Sequence, residues 1–220
     1  MQLKSHTIFT DSALKAYYRA EDLNDSSTNG KNLTKNGTVN NIAAKFANGF
    51  SADFSTTNNL TNATVYAPGT GDVTLGCWFK KNGAPTADFS PHILSLGTAT
   101  GTIRCSIGAG KTTGAFFSQF VNSGTDTAST AVNVCDDVFH FLVMTRNGTS
   151  VKTYIDGLSV GSGATSSKDI SDDILTIGYN GSGYDYIGQA LIDDVFVLSR
   201  ALSASEILSL SQEPGFLSIL

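Results

Sequence analysis

Residues 188 to 207 read GQALIDDVFVLSRALSASEI, and two signals of different kind stand side by side in them. From 187 to 198 the chain is mostly apolar with Ile and Val, broken by Gln189, Asp193 and Asp194, which predicts a β-strand. Ser203 then stands three residues before Glu206, a capping box that opens a short helix through Ile207, Leu208 and Leu210. Working outward, no other stretch carries so clear a helix start. Runs at 173 to 178, 150 to 156, 137 to 145, 115 to 121, 101 to 107, 91 to 97, 72 to 80, 49 to 54, 42 to 46 and 13 to 18 are short and β-branched or aromatic. Gly- or Asn-rich connections separate them. Such spacing predicts an antiparallel sandwich or barrel rather than βαβ units.

Turn chemistry fixes part of the order. Asn147-Gly148 lies between FHFLVMT and VKTYI, and Asp156-Gly157 follows before LSV, so both pairs suit two-residue turns with positive φ. A three-strand meander over about 137 to 160 results. Alternation sends Val73, Leu75, Cys77 and Phe79 into the core and Trp78 to the opposite face. The strand at 139 to 145 is apolar on both faces, Phe139, Phe141 and Val143 on one and Leu142 and Met144 on the other, so something must cover its outer side.

The chain has 220 residues, 40% hydrophobic and only 15% charged, which is material for one large β-domain with a surface of Ser, Thr, Asn and Gly. We divide it into an N-terminal arm at 1 to 10, a domain at 11 to 212 and an apolar tail at 213 to 220. A net charge of −5 without a basic patch argues against nucleic acid as a partner. No apolar run is long enough for a membrane span, and MQLKSHTIFTDS has no apolar segment of a secretory signal. Cys77, Cys105 and Cys135 are odd in number, and Cys77 and Cys105 sit in apolar, strand-like runs, so free thiols are expected rather than a disulfide framework. His6, His92 and His140 complete no zinc spacing.

GQALIDDVFVLSRALSASEI resembles the closing strand, turn and capped helix of the laminin-G-like, concanavalin A-like family. LKAYYRAEDLNDSSTNGKNLTKNGTV, VTLGCWFK at 73 to 80, ILSLG at 93 to 97, FHFLVMTRNGTSVKTYIDGLSVGSG at 139 to 163 and LTIGY at 175 to 179 resemble further segments in the family's order. The resemblance covers most of positions 13 to 210, with Phe139 where the family usually has Trp. It implies an all-β, two-sheet antiparallel jelly-roll sandwich with one short C-terminal helix. It does not imply one function, because the same scaffold hosts lectins, glycosidases, adhesion modules and virion parts.

Candidate sites divide by chemistry. The glucanase branch needs paired carboxylates across a cleft, yet Glu21, Glu206 and Glu213 are the only glutamates and form no such pattern, so no enzyme is expected. No Gly-x-Ser-x-Gly elbow is present, and His140 reads as a packed, hydrogen-bonded histidine. The resemblance implies one Ca²⁺ where the early loop meets the closing strand, held by oxygens of Asp22, Asn24 and Asp25 with Asp193 or Asp194. Alternation sends Asp193 and Asp194 to opposite faces, so only one can ligate; otherwise these acids cap turns and pair with Arg19, Arg146 or Arg200. Trp78 and Tyr154 fall on the non-core face, where they either stack on a sugar or pack beneath the cover. The loop YNGSGYDY offers Tyr179, Tyr184 and Tyr186 with Gly, Ser and Asn, a composition suited to recognition. Seven Asn-x-Ser/Thr sequons read as chance matches in so Asn- and Ser/Thr-rich a chain.

Together these features predict a non-enzymatic binding or structural module. A bacteriophage virion surface, on capsid or tail, suits a Met1 start without export signal, unpaired cysteines and a Ser/Thr/Asn/Gly-rich exterior. There the protein would form a homo-oligomer or join other virion subunits, with a glycan as weak ligand. Phe216, Leu217, Ile219 and Leu220 would dock on a neighbour. The alternative is a carbohydrate-binding module or glycan-active domain of a bacterial extracellular protein.

Overall fold

A computed structural model describes residues 10–86, 91–98, 102–180 and 186–212. The arm at 1–9, Tyr184 and the tail with Phe216, Leu217, Ile219 and Leu220 lie outside the described residues. In chain order the strands are β1 Leu14–Tyr18, β2 Thr34–Asn36, β3 Asn40–Ala43, β4 Asn48–Phe54, β5 Asn59–Asn62, β6 Val73–Lys80, β7 His92–Gly97 and β8 Arg104–Ala109. They continue as β9 Ala115–Val121, β10 Thr125–Asn133, β11 His140–Asn147, β12 Ser150–Ile155, β13 Leu158–Thr165, β14 Ile174–Ile177 and β15 Gly188–Leu198, followed by helix α1 Ala204–Gln212.

The strands form two antiparallel sheets. The first runs β13-β12-β11-β6-β15-β4-β3, with β1 also paired to β15, and the second runs β10-β9-β8-β7-β14-β5-β2. The strand at 13 to 18 thus lies against the closing strand, with Leu14 opposite Leu198 and Tyr18 opposite Val195. Between the sheets, Val73, Leu75, Cys77 and Phe79 of β6 pack with Leu94, Leu96, Ile107, Phe116, Phe120, Leu175 and Ile177 of the second sheet. The two-residue period of β6 places them there, as alternation requires. All three cysteines are free and buried.

The outer face of the first sheet is apolar as well. Tyr17, Trp78, Phe141, Val143, Tyr154, Phe196 and Leu198 form a second cluster, which Leu202, Ile207 and Leu210 close over from the turn and helix. The cover demanded by β11 is therefore α1. Its capping box is formed: Glu206 accepts the Ser203 N–H at 2.7 Å, and its own N–H reaches Ser203 Oγ at 3.3 Å. Thr74 Oγ donates to the Arg200 carbonyl at 2.7 Å and accepts the Leu202 N–H at 3.0 Å, pinning the turn to the sheet. Arg200 ties Asp11 and Glu206 together, each at 2.6 Å.

Three strands depart from the sequence expectation. β2, β5 and β10 carry mostly Thr, Asn and Ser, and β2 and β10 are the two edges of the second sheet, so little apolar alternation marks them. Arg146 also departs, because among the described residues it pairs with no acid. It is fully buried at the end of β11, donating at 2.8 Å to each of the Gly69, Gly71 and Lys168 carbonyls, with its guanidinium 4.8 Å from the Phe120 ring centroid. Arg19 meets Glu21 and Arg200 meets its two acids, while Arg146 plugs an open end of the core with a planar fork of donors.

Arg146→Met leaves three carbonyls without their donor and is expected to cost about 3 kcal/mol of unfolding free energy in denaturant titration. A loss below about 1 kcal/mol would show that water replaces the guanidinium.

Candidate functional site

Two of the candidate acids, Asp25 and Asp194, meet at Tyr17. β15 is bulged between Asp193 and Phe196 relative to β6, and Asp194 takes a φ of 47°. The bulge abolishes strict alternation, so Asp193 and Asp194 do not separate to opposite faces. Asp193 accepts the Phe46 N–H at 3.3 Å and the Asp194 N–H at 2.8 Å, and Asp194 accepts the Tyr17 hydroxyl at 2.5 Å. Asp25 binds the same tyrosine from the other side. Its oxygens accept the N–H groups of Tyr17, Ser27 and Lys31 and the Ser27 hydroxyl, at 2.7 to 3.0 Å. Asp22 accepts both the backbone and side-chain N–H of Asn24 in a local turn. Among the described residues no three His, Cys, Asp or Glu side chains group as metal ligands. As arranged, these acids accept hydrogen bonds from backbone and side-chain donors of the fold.

Burial raises the Asp193 carboxyl to about 6, and burial together with the Asp193 charge raises Asp194 well above the ordinary range. His140 behaves oppositely: it lies between Asp156 at 2.8 Å and Asp136 at 3.1 Å, and the Asp156 hydrogen bond raises its pKa.

Trp78 and Tyr154 are packed beneath the cover, 4% and 3% exposed. Phe46 meets the indole edge-on at 5.7 Å, Phe141 lies 5.1 Å away, and Lys45 Nζ sits 4.3 Å from the ring centroid. Neither ring presents a face to a sugar. Tyr154 lines a depression of about 530 Å³ together with Lys152 and Glu206.

The second sheet has a different outer face. Register aligns Thr34, Thr61, Thr176, Ser95, Ser106, Gln119 and Thr127 in one row across all seven strands. Their neighbours Leu60, Leu175, Ile177, Leu94, Leu96, Cys105 and Ile107 face the core, so the row points away from it. At one end Asn36, Asn59, Thr61, Ile174 and Thr176 floor a cleft of about 340 Å³, walled by Thr56, Thr57 and Tyr179. Asn36 Nδ2 donates to Asn59 Oδ1 at 2.8 Å, and Asn59 donates to the Ser55 and Thr56 carbonyls, so the amides are held in place. An antiparallel bridge joins Tyr179 to Tyr186, and Tyr186 lines a second cleft of about 420 Å³ with Asp53, Lys81 and Asn82. Tyr179 and Tyr186 are thus at clefts. The Asn and Thr floor was not nominated from sequence; the alternation of Asn59, Leu60 and Thr61, and of Leu175, Thr176 and Ile177, was its only signal.

A sealed first sheet, a polar second one and a capped closing helix define a class. The chain belongs to the concanavalin A-like lectin/glucanases superfamily, which it matches over residues 52–208. Among solved structures it is similar to domain 4 of AbnA, a GH43 extracellular arabinanase from Geobacillus stearothermophilus in complex with arabinotriose. That likeness has 19% identity and a TM-score of 0.72, over 90% of this chain and 98% of that one. It is also similar to the binding domain of Paraclostridial mosquitocidal protein 1, with 14% identity and a TM-score of 0.72, over 96% of this chain and 52% of that one. The binding domain of botulinum neurotoxin DC in complex with SialylT is 13% identical with a TM-score of 0.70, over 91% of this chain and 51% of that one. The chain thus spans about half the length of these toxin domains. No curated protein matches.

The buried acid pair has a pH signature. Carboxyls raised on folding bind protons more tightly in the native state, so the contribution of this pair to stability is greatest below the unfolded value of about 4 and falls as pH rises through about 6. Asp194→Asn keeps an acceptor for Tyr17 without the charge. It is expected to flatten this decline and raise the melting temperature at pH 7 to 8 by roughly 3 °C, about 1 kcal/mol. The same melts with excess Ca²⁺ and with chelator test the alternative: a calcium shift abolished by Asp194→Asn would restore the cation site.

Proposed function

We propose that the protein is a glycan-binding module that holds sugar at the Tyr179 cleft on the outer face of its second sheet, without cleaving it. The observation that carries this reading is the contrast between the two outer faces. The first is apolar and sealed by α1, while the second sets Ser, Thr and Asn side chains in register and ends at an aromatic wall. Fixed amides and hydroxyls match sugar hydroxyls, and a tyrosine ring suits the apolar side of a pyranose. Support comes from structural relatives described in complex with arabinotriose and SialylT. Among the described residues, the lining of the Tyr179 cleft includes no carboxylate, whereas glycoside hydrolysis takes two of them about 5 to 9 Å apart.

The setting proposed from the sequence, many copies on a virion surface, suits a weak contact of this kind, because linked sites raise overall avidity about 10² to 10⁴-fold without any new contact. A bacterial extracellular carbohydrate-binding module would use the same cleft in a single copy beside a catalytic domain.

Screening the full chain on a glycan array and titrating the best binder tests the reading. Tyr179→Ala is expected to weaken affinity about tenfold, roughly 1.4 kcal/mol, with little change in melting temperature. A folded wild-type chain that binds no glycan would contradict it, as would full affinity in the variant.

A further inference from the structure

Lys81, just past the end of β6, is only 9% exposed, unusual depth for a lysine. Its Nζ donates to the Gln189 carbonyl at 3.0 Å, and among the described residues it forms no ion pair. An ammonium has three donors, so two are unmatched there. Asp53 stands opposite. Lys81 Nζ and Asp53 Oδ1 lie 3.7 and 3.8 Å from the point where a Cβ on Gly188 would sit, yet they do not pair. Both line the cleft of about 420 Å³, together with Asn82, Thr86, Tyr186 and Gln189. The bridge between Asn82 and Asp136 holds the rim, and the bridge between Tyr186 and Tyr179 joins this cleft to the first. Burial lowers the Lys81 pKa, the direction an incoming anion would reverse.

We propose that this cleft is a second subsite, selective for the carboxylate of an acidic sugar, which Lys81 receives while Asp53 and Asn82 take the neighbouring hydroxyls and Tyr186 lies against the ring. The inference rests on the glycan-binding reading and names the sugar class that reading leaves open. A buried ammonium with spare donors gains most from an anion delivered into the same low-dielectric space. Asp53 limits the total negative charge, so a singly charged, hydroxyl-rich unit fits and a polysulfated one does not.

The test is an array carrying matched neutral and carboxylated forms of the same sugars, read with the full wild-type chain and with Lys81→Gln. Carboxylated members are expected to bind at least about tenfold more tightly than their neutral forms, and Lys81→Gln to remove that preference. Binding confined to neutral glycans, or a preference that survives Lys81→Gln, overturns the subsite and leaves the Tyr179 reading intact. Absence of binding to every glycan removes both. A readout in the unsubstituted chain guards against misfolding of the variant: acetylation of Lys81, followed by mass spectrometry, should be slowed by D-galacturonate and not by D-galactose. Equal rates with the two sugars would also overturn the proposal.

Discussion

Strand β15 has one edge and two partners to fill it. β4 pairs with residues 188 to 192 and β1 with residues 195 to 198, while β6 takes the other edge. Asp193 and Asp194 fall in the gap where neither β4 nor β1 reaches. A gap in the middle of a buried sheet leaves backbone donors without partners, which costs more than most packing defects. The two carboxylates fill it: Asp193 takes the N–H of Phe46, ahead of β4, and Asp194 takes the hydroxyl of Tyr17 on β1. Asp25 then fixes Tyr17 from its backbone side. The bulge at this point resets the pleat, so that Val195 and Val197 return to the inner core while Phe196 and Leu198 face the helix. Without that reset, the closing half of β15 would turn its apolar residues the wrong way.

This seam explains what could be read in the sequence. Val73 to Phe79, Phe139 to Met144 and the 188 to 198 run stand out as strands because both faces of the first sheet are apolar, and a capping box is a purely local signal. The pair Asp193 and Asp194 misled for the same reason that it matters. A period of two assumes a regular strand, and a bulge with Asp194 at positive φ is invisible to it. Hard oxygen donors on a loop and a strand suggest a cation, and in the fold the same oxygens also accept N–H and O–H groups.

The candidate site was legible only at its rim. Tyr179 and Tyr186 stand out by composition, but the floor of Asn36, Asn59, Thr61 and Thr176 is built from residue types that saturate the whole chain. Only strand register separates a hydroxyl row facing a cleft from one facing solvent. Trp78 erred in the other direction: a lone tryptophan on a non-core face invites a sugar, yet α1 and Phe46 close over that face. The two sheets therefore divide the work. One is apolar on both faces and carries the acid seam, and the other turns a largely hydroxyl-bearing row outward, of which Ser95, Ser106 and Thr176 are buried.

That division is most directly tested by mapping NMR chemical shifts of the labelled chain as it is titrated with its best-binding array glycan. The account predicts perturbations centred on Ile174, Thr176 and Tyr179 with the adjoining Asn59 and Thr61, while Tyr17, Trp78, Tyr154 and Asp194 stay still. Perturbations centred on the Asp25 and Asp194 seam, or on the Tyr154 side of the first sheet, would contradict it.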